Sequence, residues 1–302
     1  MVNKGIKVVF MDNANTIHFI EEIAHFIAKI NSNDENHVLY CGKQVSEISY
    51  TLLNQFSDML IEDSLTLYKE NGEIKGVIGF DVNLEERTAE IWGPFIESDD
   101  QNWFEIAEKL WVESLEKIKN KVSNFLAFYN EKNDKCIKWI EKLQAKSKGT
   151  NIILTVTKGT FKNQTYHSIK RISAHYEQEF IAMHDVGFPN TYYNGTTIIN
   201  RLDDNKQVFV FIEEDKMLGY VYVECIPEFK EGSIEFIYVS QSAREKGVGA
   251  ALVNQALSFL IEENGVEEVN LCVEANNEKA VNLYIKAGFY IEHVANAYVV
   301  KR

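Results

Sequence analysis

The chain has 302 residues and a net charge of −14, and each half, divided at residue 160, has a net charge of −7. An acidic balance in both halves disfavours a nucleic-acid partner, because non-specific binding to nucleic acid depends on neutralising phosphates. Hydrophobic residues make up 45% of the chain, which excludes a disordered protein and suffices for the cores of about two domains.

The cysteines lie far apart in the sequence, at Cys41, Cys136, Cys225 and Cys272. No short Cys/His spacing is present, so a disulfide framework or a metal site is disfavoured and a reducing compartment fits best. No stretch approaches the ~20 apolar residues of a membrane span. The apolar run before Asp12 is too short for a secretory leader. We therefore expect a cytoplasmic protein with no membrane partner.

Hydrophobic periodicity predicts the elements of the first half. In chain order they are a helix over 14–30, strands over 65–70, 74–84 and 87–96, a helix over 102–119, a strand over 122–129, a helix over 131–146 and a strand over 151–157. The first helix is predicted from apolar side chains that recur at three- and four-residue steps from Ile17 to Ile30. The first two strands flank the turn Glu70-Asn71-Gly72-Glu73.

The second half repeats this order. It has a strand over 165–172, helices over 174–185 and 194–202, a hairpin over 206–213 and 217–226, a strand over 232–239, a helix over 248–263, a strand over 267–273, a helix over 277–287 and terminal strand structure over 289–299. This order predicts, in each half, a mixed α/β (α+β) sheet layered with helices. A shift of 143 residues aligns Lys75–Phe80 with Leu218–Val223. This alignment favours a duplication, with domains at 1–160 and 161–302, over two unrelated halves.

One strand of the second half runs into a glycine-containing loop, Arg244-x-x-Gly247-x-Gly249, and a helix begins at once. Glycine allows a close backbone approach, and free amides at a helix start can hold a pyrophosphate. A Walker loop is disfavoured because Lys246 precedes the glycine, and a Rossmann fingerprint because Leu252 stands in place of the third glycine. Taken alone, the loop fits an ordinary helix start equally well.

A second motif follows, in which Asn276-Asn277 precedes Ala280-x-x-Leu283-Tyr284-x-x-x-Gly288-Phe289. With the two motifs in this order and at this separation, residues ~165–300 resemble the GNAT superfamily of acetyl-CoA-dependent N-acetyltransferases. The resemblance implies a tandem GNAT-like fold and, in the second half, an enzyme that transfers acetyl from acetyl-CoA to a primary amine of a small molecule or peptide.

The resemblance also implies roles for individual residues. In the family, the strand before the glycine loop diverges from the next strand, and the pantetheine arm lies between them. The expected cofactor-binding residues are Ile237, Tyr238, Val239, Arg244, Glu245, Lys246, Gly247, Val248, Gly249, Ala250 and Asn276. Glu235 matches the carboxylate that relays the amine proton, and Tyr284 matches the acid for the departing thiolate.

Elementary chemistry is compatible with these two roles, since an ammonium must lose a proton before it attacks a thioester. Two alternatives stay open: Tyr284 could be a packed aromatic, and Glu235 could point to solvent. Strand alternation places Ile234 and Phe236 together on the face opposite Glu235 and Ile237. The resemblance also implies that the loop Gly187–Gly195 helps to shape the acceptor site, so Tyr192 and Tyr193 are candidates for it, with ordinary exposed loop tyrosines as the alternative.

The first half departs from the pattern. Glu97-Ser-Asp-Asp-Gln-Asn102 replaces the glycine loop, Trp92 stands at the position of Glu235, and Trp139 is expected near the place of Tyr284. Three carboxylates would repel a pyrophosphate, so we predict a degenerate domain without cofactor.

Other sites are weaker. His18 with His25, and His175 with His184, lack a third ligand at a metal spacing and are taken as structural. A non-catalytic acyl-CoA-binding or regulatory module and a nucleotide-binding regulator are the alternatives to an enzyme. The sequence decides neither the acceptor amine nor the oligomeric state.

Overall fold

The computed structural model describes residues 13–161, 168–189 and 191–302. Its helices are α1 (Asn13–Asn31), α2 (Val45–Asn54), α3 (Ile61–Ser64), α4 (Asp100–Lys117), α5 (Asp134–Lys142), α6 (Glu177–Gly187), α7 (Gly195–Arg201), α8 (Val248–Leu257) and α9 (Glu278–Lys286). Its strands are β1 (Leu65–Glu70), β2 (Glu73–Asn83), β3 (Thr88–Ile96), β4 (Asn124–Asn130), β5 (Lys146–Thr157), β6 (Ile169–Arg171), β7 (Lys206–Glu213), β8 (Lys216–Ile226), β9 (Glu231–Val239), β10 (Glu268–Glu274) and β11 (Tyr290–Lys301). No helix of this described part combines the length and apolar character that a membrane span requires.

The chain divides into two compact units. The first contains Met1–Thr150 and Val294–Arg302, and the second contains Asn151–His293. This division differs from the predicted boundary at residues 160 and 161, because the second unit begins earlier and the last residues of the chain belong to the first.

The origins of β5 and β11 explain this difference. In the second unit, Asn151–Thr157 of β5 pairs antiparallel with β10. In the first unit, Ala295–Lys301 of β11 pairs antiparallel with β4. Each unit therefore takes its last strand from the other half of the sequence. The strand orders are β1-β2-β3-β4-β11 in the first unit and β5-β10-β9-β8-β7-β6 in the second.

The two units repeat one fold. The bounds of β2 and β3, moved by 143 residues, coincide with those of β8 and β9, and α5 and β5, moved by 144, coincide with α9 and β11. Even the irregularities repeat, since the β1–β2 pairing shifts between Tyr68 and Lys69 and the β7–β8 pairing between Phe211 and Ile212. This likeness in detail confirms the predicted mixed α/β fold in both halves.

Local details differ from the predictions. Helix α2 was not predicted. The helix predicted over 131–146 ends at Lys142, because Gln144 has a positive φ of 60° and β5 has begun by Lys146. The helix predicted over 248–263 ends its α-helical part at Leu257 and continues as a π-helical turn over Ser258–Glu263. Of the strand predicted over 165–172, residues 165–167 lie outside the described residues.

Candidate active site

Strands β9 and β10 begin side by side and then separate. Their parallel pairing covers only Glu231–Ser233 and Glu268–Asn270. Beyond these residues both strands line a cleft of about 840 Å³ that lies within the second unit. The other edge of β9 is paired with β8, so the backbone groups of β9 that face the gap are available to a ligand.

The glycine loop forms one end of this cleft. Gly247 has a φ of +83°, which favours glycine, and precedes α8 without any side-chain cap. The bond from the Ala251 amide to the Gly247 carbonyl, at 3.0 Å, is the first of the helix. The amides of residues 248–250 therefore have no partner inside the helix. A Cβ on Gly249 would lie 3.2 Å from Leu283 Cδ2, so glycine keeps this approach open.

Charged groups surround the loop. The Arg244 guanidinium donates through Nε to the Val239 carbonyl at 3.2 Å, which places this cation at the end of β9. Lys279, at the start of α9, forms an exposed ion pair with Glu245 at 2.8 Å. Free amides and a cation at a helix start make a suitable site for an anion.

The structure brings most of the predicted cofactor-binding residues together. Those that line the cleft are Ile237, Tyr238, Val239, Arg244, Glu245, Gly247, Gly249 and Ala250. Three of the predicted residues do not line the cleft. The Val248 side chain is buried in the core, and Lys246 and Asn276 are exposed. Asn277 lines the cleft instead, and its side chain accepts a hydrogen bond from the Ala280 amide at the start of α9.

A β-bulge at Glu235 overturns the expected alternation of β9. Tyr222 pairs with Phe236, whereas the next residue, Val223, pairs with Ile234, so Glu235 is the extra residue. A bulge changes which side chains share a face. Ile234 consequently packs in the core beneath α8, and Phe236 packs in a separate cluster with Phe180 of α6. The prediction that Ile234 and Phe236 share a face is therefore wrong.

The bulge holds the Glu235 carboxylate among hydroxyl groups. Tyr192 and Ser233 both donate hydrogen bonds to it. The Tyr192 ring lies on Phe236, with the ring centroids 4.9 Å apart. Although 55% of the Tyr192 surface is exposed, loss of water around its hydroxyl, and next the charge of Glu235, raises its pKa, so this phenol stays protonated and remains a donor. Tyr192 was a candidate from the sequence, whereas Ser233 was missed, because its role depends on the bulge.

A buried histidine fixes the loop that carries Tyr192. His184 has no exposed surface, and its Nε2 lies 2.8 Å from the Tyr193 carbonyl oxygen. Since a carbonyl can only accept, Nε2 carries the proton and Nδ1 accepts from the Tyr220 hydroxyl at 2.6 Å. Burial lowers the pKa of His184, which favours this neutral form. The residue is structural, as the sequence indicated. Asn190, in the same loop, lies outside the described residues.

Tyr284 lies on α9 and lines the cleft. Only 5% of its surface is exposed, and its ring packs edge-on against Phe289 at 5.8 Å. Burial raises its pKa to about 12, so the hydroxyl keeps its proton at neutral pH. The side chain is thus both a packed aromatic and a potential hydrogen-bond donor to a group in the cleft.

The first unit has the same divergence of strands, but side chains fill the gap. Its β3 and β4 pair only over Thr88–Glu90 and Asn124–Leu126. Beyond them, the Tyr129 hydroxyl donates to the Gly93 carbonyl at 2.9 Å, and Trp139 is 1% exposed. Helix register aligns Trp139 with Leu283 and Ile140 with Tyr284, so Trp139 stands one residue from the place of Tyr284, near it as expected.

Comparisons with known proteins agree with this geometry. Residues 169–289 match the model of the acetyltransferase (GNAT) family. A segment of 72 residues is 38% identical to an N-alpha-acetyltransferase of Sulfurisphaera tokodaii. It covers 24% of this chain and 43% of that protein, so the chain spans less than half the length of the curated relative it matches.

Two solved structures resemble the whole chain. A GCN5-related N-acetyltransferase from Sphaerobacter thermophilus has a TM-score of 0.74 at 13% identity, covering 95% of this chain and 94% of that one. A tandem GNAT protein from the clavulanic acid biosynthesis pathway has a TM-score of 0.64 at 10% identity, covering 96% of both chains. At these identities the likeness shows the fold alone, so the chain has a fold like that of the tandem GNAT protein.

Proposed function

Because residues 169–289 of the chain form a domain of the GNAT family, we propose that its second unit transfers an acetyl group from acetyl-CoA to a primary amine of a small molecule or peptide. One observation carries this proposal: a single cleft brings together the uncapped start of α8, Glu235 and Tyr284. An anion cradle, a proton acceptor and a proton donor are the groups that acetyl transfer from a thioester to an amine requires.

The residues of the cleft fit acetyl-CoA, which supplies the activated acetyl thioester when bound. The amides of residues 248–250, with Arg244, hold the pyrophosphate. The open edge of β9, over Ile237–Val239, offers backbone groups to the pantetheine arm. Glycine is required at position 249 for this fit, because any side chain on Gly249 would enter the space between the cradle and Leu283.

On the acceptor side, Glu235 takes the proton that the ammonium must lose, directly or through water. The donors Tyr192 and Ser233 orient its carboxylate. An acidic group at this point also attracts a cationic acceptor.

Tyr284 acts on the departing sulfur. With a pKa of about 12, its phenol is a weaker acid than a thiol, whose reference pKa is ~8.5. Its main contribution is therefore a hydrogen bond from Oη that stabilises the developing charge on sulfur.

We assign no cofactor to the first unit, whose gap is filled and whose carboxylates stand where a pyrophosphate would bind. The cysteines of the described residues, Cys41, Cys136, Cys225 and Cys272, are all unpaired. Unpaired thiols suit a reducing compartment such as the cytoplasm.

The first test compares two glycine variants by calorimetric titration with acetyl-CoA. Gly249→Val places a branched side chain in the cradle and should weaken binding at least tenfold. Gly159→Val is the matched control, since a Cβ there meets nothing within 4 Å, and it should bind as the wild type does. Equal affinities in the two variants would contradict the assignment of the cradle.

The second test measures turnover with a panel of amines, following thiol release and the mass of the product. Tyr284→Phe should lower kcat at least tenfold and leave KM for acetyl-CoA nearly unchanged. Binding without turnover of any amine would favour a non-catalytic acyl-CoA module. Displacement of acetyl-CoA by ATP would favour a nucleotide-binding regulator.

A further inference from the structure

The residues that line the cleft belong to two faces of the sheet. Ile237, Val239 and Tyr284 belong to the core on the side of α8 and α9. Phe236 belongs to the cluster on the opposite side, against which Phe188 and Tyr238 pack. The cofactor cradle lies at the start of α8, so an acceptor would approach from the opposite face.

Glu235 and two residues of β10 share this opposite face. Glu235 contacts Tyr192, whose ring lies on Phe236. On β10, Leu271 and Val273 pack towards α8, so alternation directs Cys272 and Glu274 to the other side. Both Glu235 and Cys272 line the cleft. Loss of water around the thiol, and next the charge of Glu235, raises the pKa of Cys272. We call Phe188, Glu235, Phe236, Tyr238, Cys272 and Glu274 the acceptor face.

The acceptor face has two carboxylates and, among the described residues that line the cleft there, no cation. The Arg201 guanidinium lies nearby, 4.0 Å from the Tyr193 ring centroid, but it is paired with Glu224 at 2.8 Å. The cations lining the cleft are Arg244 and Lys279, which lie beside the cradle. The carboxylates therefore attract an ammonium group to the acceptor face. They also disfavour an acceptor with a second, anionic group near its amine, because that group would meet Glu235 and Glu274 without a counter-charge.

Aromatic rings form the rest of the acceptor face. The Phe188 and Phe236 rings lie 5.0 Å apart in an edge-to-face arrangement. Gly187 is required for this arrangement of rings, since a Cβ there would lie 2.6 Å from the Tyr238 ring. Such rings pack well against a flat apolar group, and they also favour a nearby cation.

We propose that the acceptor is a primary amine on an aromatic or similarly flat apolar body, without a carboxylate on the carbon that bears the amine. This inference rests on the proposed acetyl transfer and specifies its substrate class. The carboxylates select the charge of the acceptor, and the rings select its body.

The test uses the full chain with acetyl-CoA and five amines: phenethylamine, phenylalanine amide, phenylalanine, ethylamine and spermidine. We expect kcat/KM for phenethylamine and for phenylalanine amide to exceed the values for phenylalanine and for ethylamine at least tenfold. A ratio below tenfold, against phenylalanine or against ethylamine, overturns the inference. A preference for spermidine over phenethylamine also overturns it, because it would indicate a polycation site.

Two pairs of variants connect the preference to the named residues. Glu274→Gln should reduce the discrimination between phenylalanine amide and phenylalanine at least threefold, whereas the exposed control Glu278→Gln should preserve it. Phe188→Ala should raise KM for phenethylamine at least fivefold, whereas Val186→Ala, at a residue that is 77% exposed, should not. Equal effects within a pair overturn the assignment of the face.

Failure of the inference differs from failure of the proposed function. If all five amines are acetylated with similar kcat/KM, only the substrate class is wrong. If acetyl-CoA binds but no amine is acetylated, the proposed transfer is wrong and the inference falls with it.

Discussion

A pair of carboxylates in the first unit allows a quantitative test of the structure. Asp81 and Glu90 face each other across β2 and β3 in antiparallel register. Burial raises the pKa of Asp81 as well, but the Ser57 amide donates to it at 2.9 Å, which favours the charged form of Asp81. Burial, with the charge of Asp81 as the second cause, raises the pKa of Glu90 to about 7. Glu90 is therefore the member of the pair that keeps its proton near neutral pH.

The raised pKa has a definite effect on stability. Between pH 4.5, the ordinary pKa of the group, and pH 7, folded Glu90 holds a proton that the unfolded chain has lost. Stability from this group is thus full below pH 4.5 and is lost as the pH rises through 7. At ~1.4 kcal/mol per pH unit, the loss reaches about 3 kcal/mol. Glu90→Gln, which cannot ionise, should be more stable than the wild type by about 3 kcal/mol at pH 8.5 and by less than about 1 kcal/mol at pH 5.

Tryptophan fluorescence during urea unfolding measures this difference. All four tryptophans, Trp92, Trp103, Trp111 and Trp139, lie in the first unit, so the signal reports on that unit alone. Glu108→Gln, at an exposed position of α4, is the control and should have the same pH dependence as the wild type. Parallel stability curves for Glu90→Gln and the wild type between pH 5 and 8.5 would refute the reasoning.

Three further predictions concern the gap of the first unit, the acceptor face and the loop that carries Tyr192. Trp139→Leu, which introduces the residue found at Leu283, should lower the free energy of unfolding by about 2–3 kcal/mol through cavity formation. It should still bind one acetyl-CoA per chain by calorimetry; a second bound equivalent would contradict the filling of this gap by several side chains. Saturating phenethylamine should slow maleimide labelling of Cys272 on the acceptor face at least tenfold, as followed by mass spectrometry with buried Cys225 as an unreactive reference, and an unchanged rate would remove Cys272 from the acceptor face. Burial lowers the pKa of His184 below the 6.5 of the unfolded chain, so stability should fall as the pH drops below 6.5. Thermal unfolding followed by circular dichroism measures this fall, and His184→Gln should have a flatter pH profile. Equal slopes for the variant and the wild type would contradict the buried neutral imidazole.

Most of the fold could be predicted from local patterns. The hairpin of β7 and β8 and the helices α1, α4 and α9 follow the periodicity of their apolar residues, and the structure confirms them within a few residues at each end. The exchange of β5 and β11 could not be predicted in this way. The two strands occupy equivalent places in the repeat, 144 residues apart, so no local pattern decides which of them pairs with β4 and which with β10.

Only part of the candidate site could be predicted from the sequence. The glycine loop was readable because Gly247 and Gly249 stand at a helix start, where chain geometry alone limits the residue type. The environment of Glu235 was not readable, since a single extra residue in β9 breaks the period of two on which strand predictions depend. The contact from Tyr192 likewise depends on a loop that tertiary packing, through His184, holds in place.

The two units differ at the helix start beside the diverging strands, and this difference supports the proposed binding site in the second unit only. Both contain a pair of parallel strands that diverge after three paired residues, followed by a helix that begins near the gap. At the start of α4, the Asp99 carboxylate accepts from the Asn102 amide at 3.0 Å, so a side chain of the protein already occupies the place of an anion. At the start of α8, Gly247 has no side chain, and the equivalent amides are left open. Replacing Asp99 by glycine would free those amides but leave the hydrogen bond from Tyr129 to the Gly93 carbonyl across the gap, so we expect at least two substitutions to be needed before the first unit could accept a phosphate ligand.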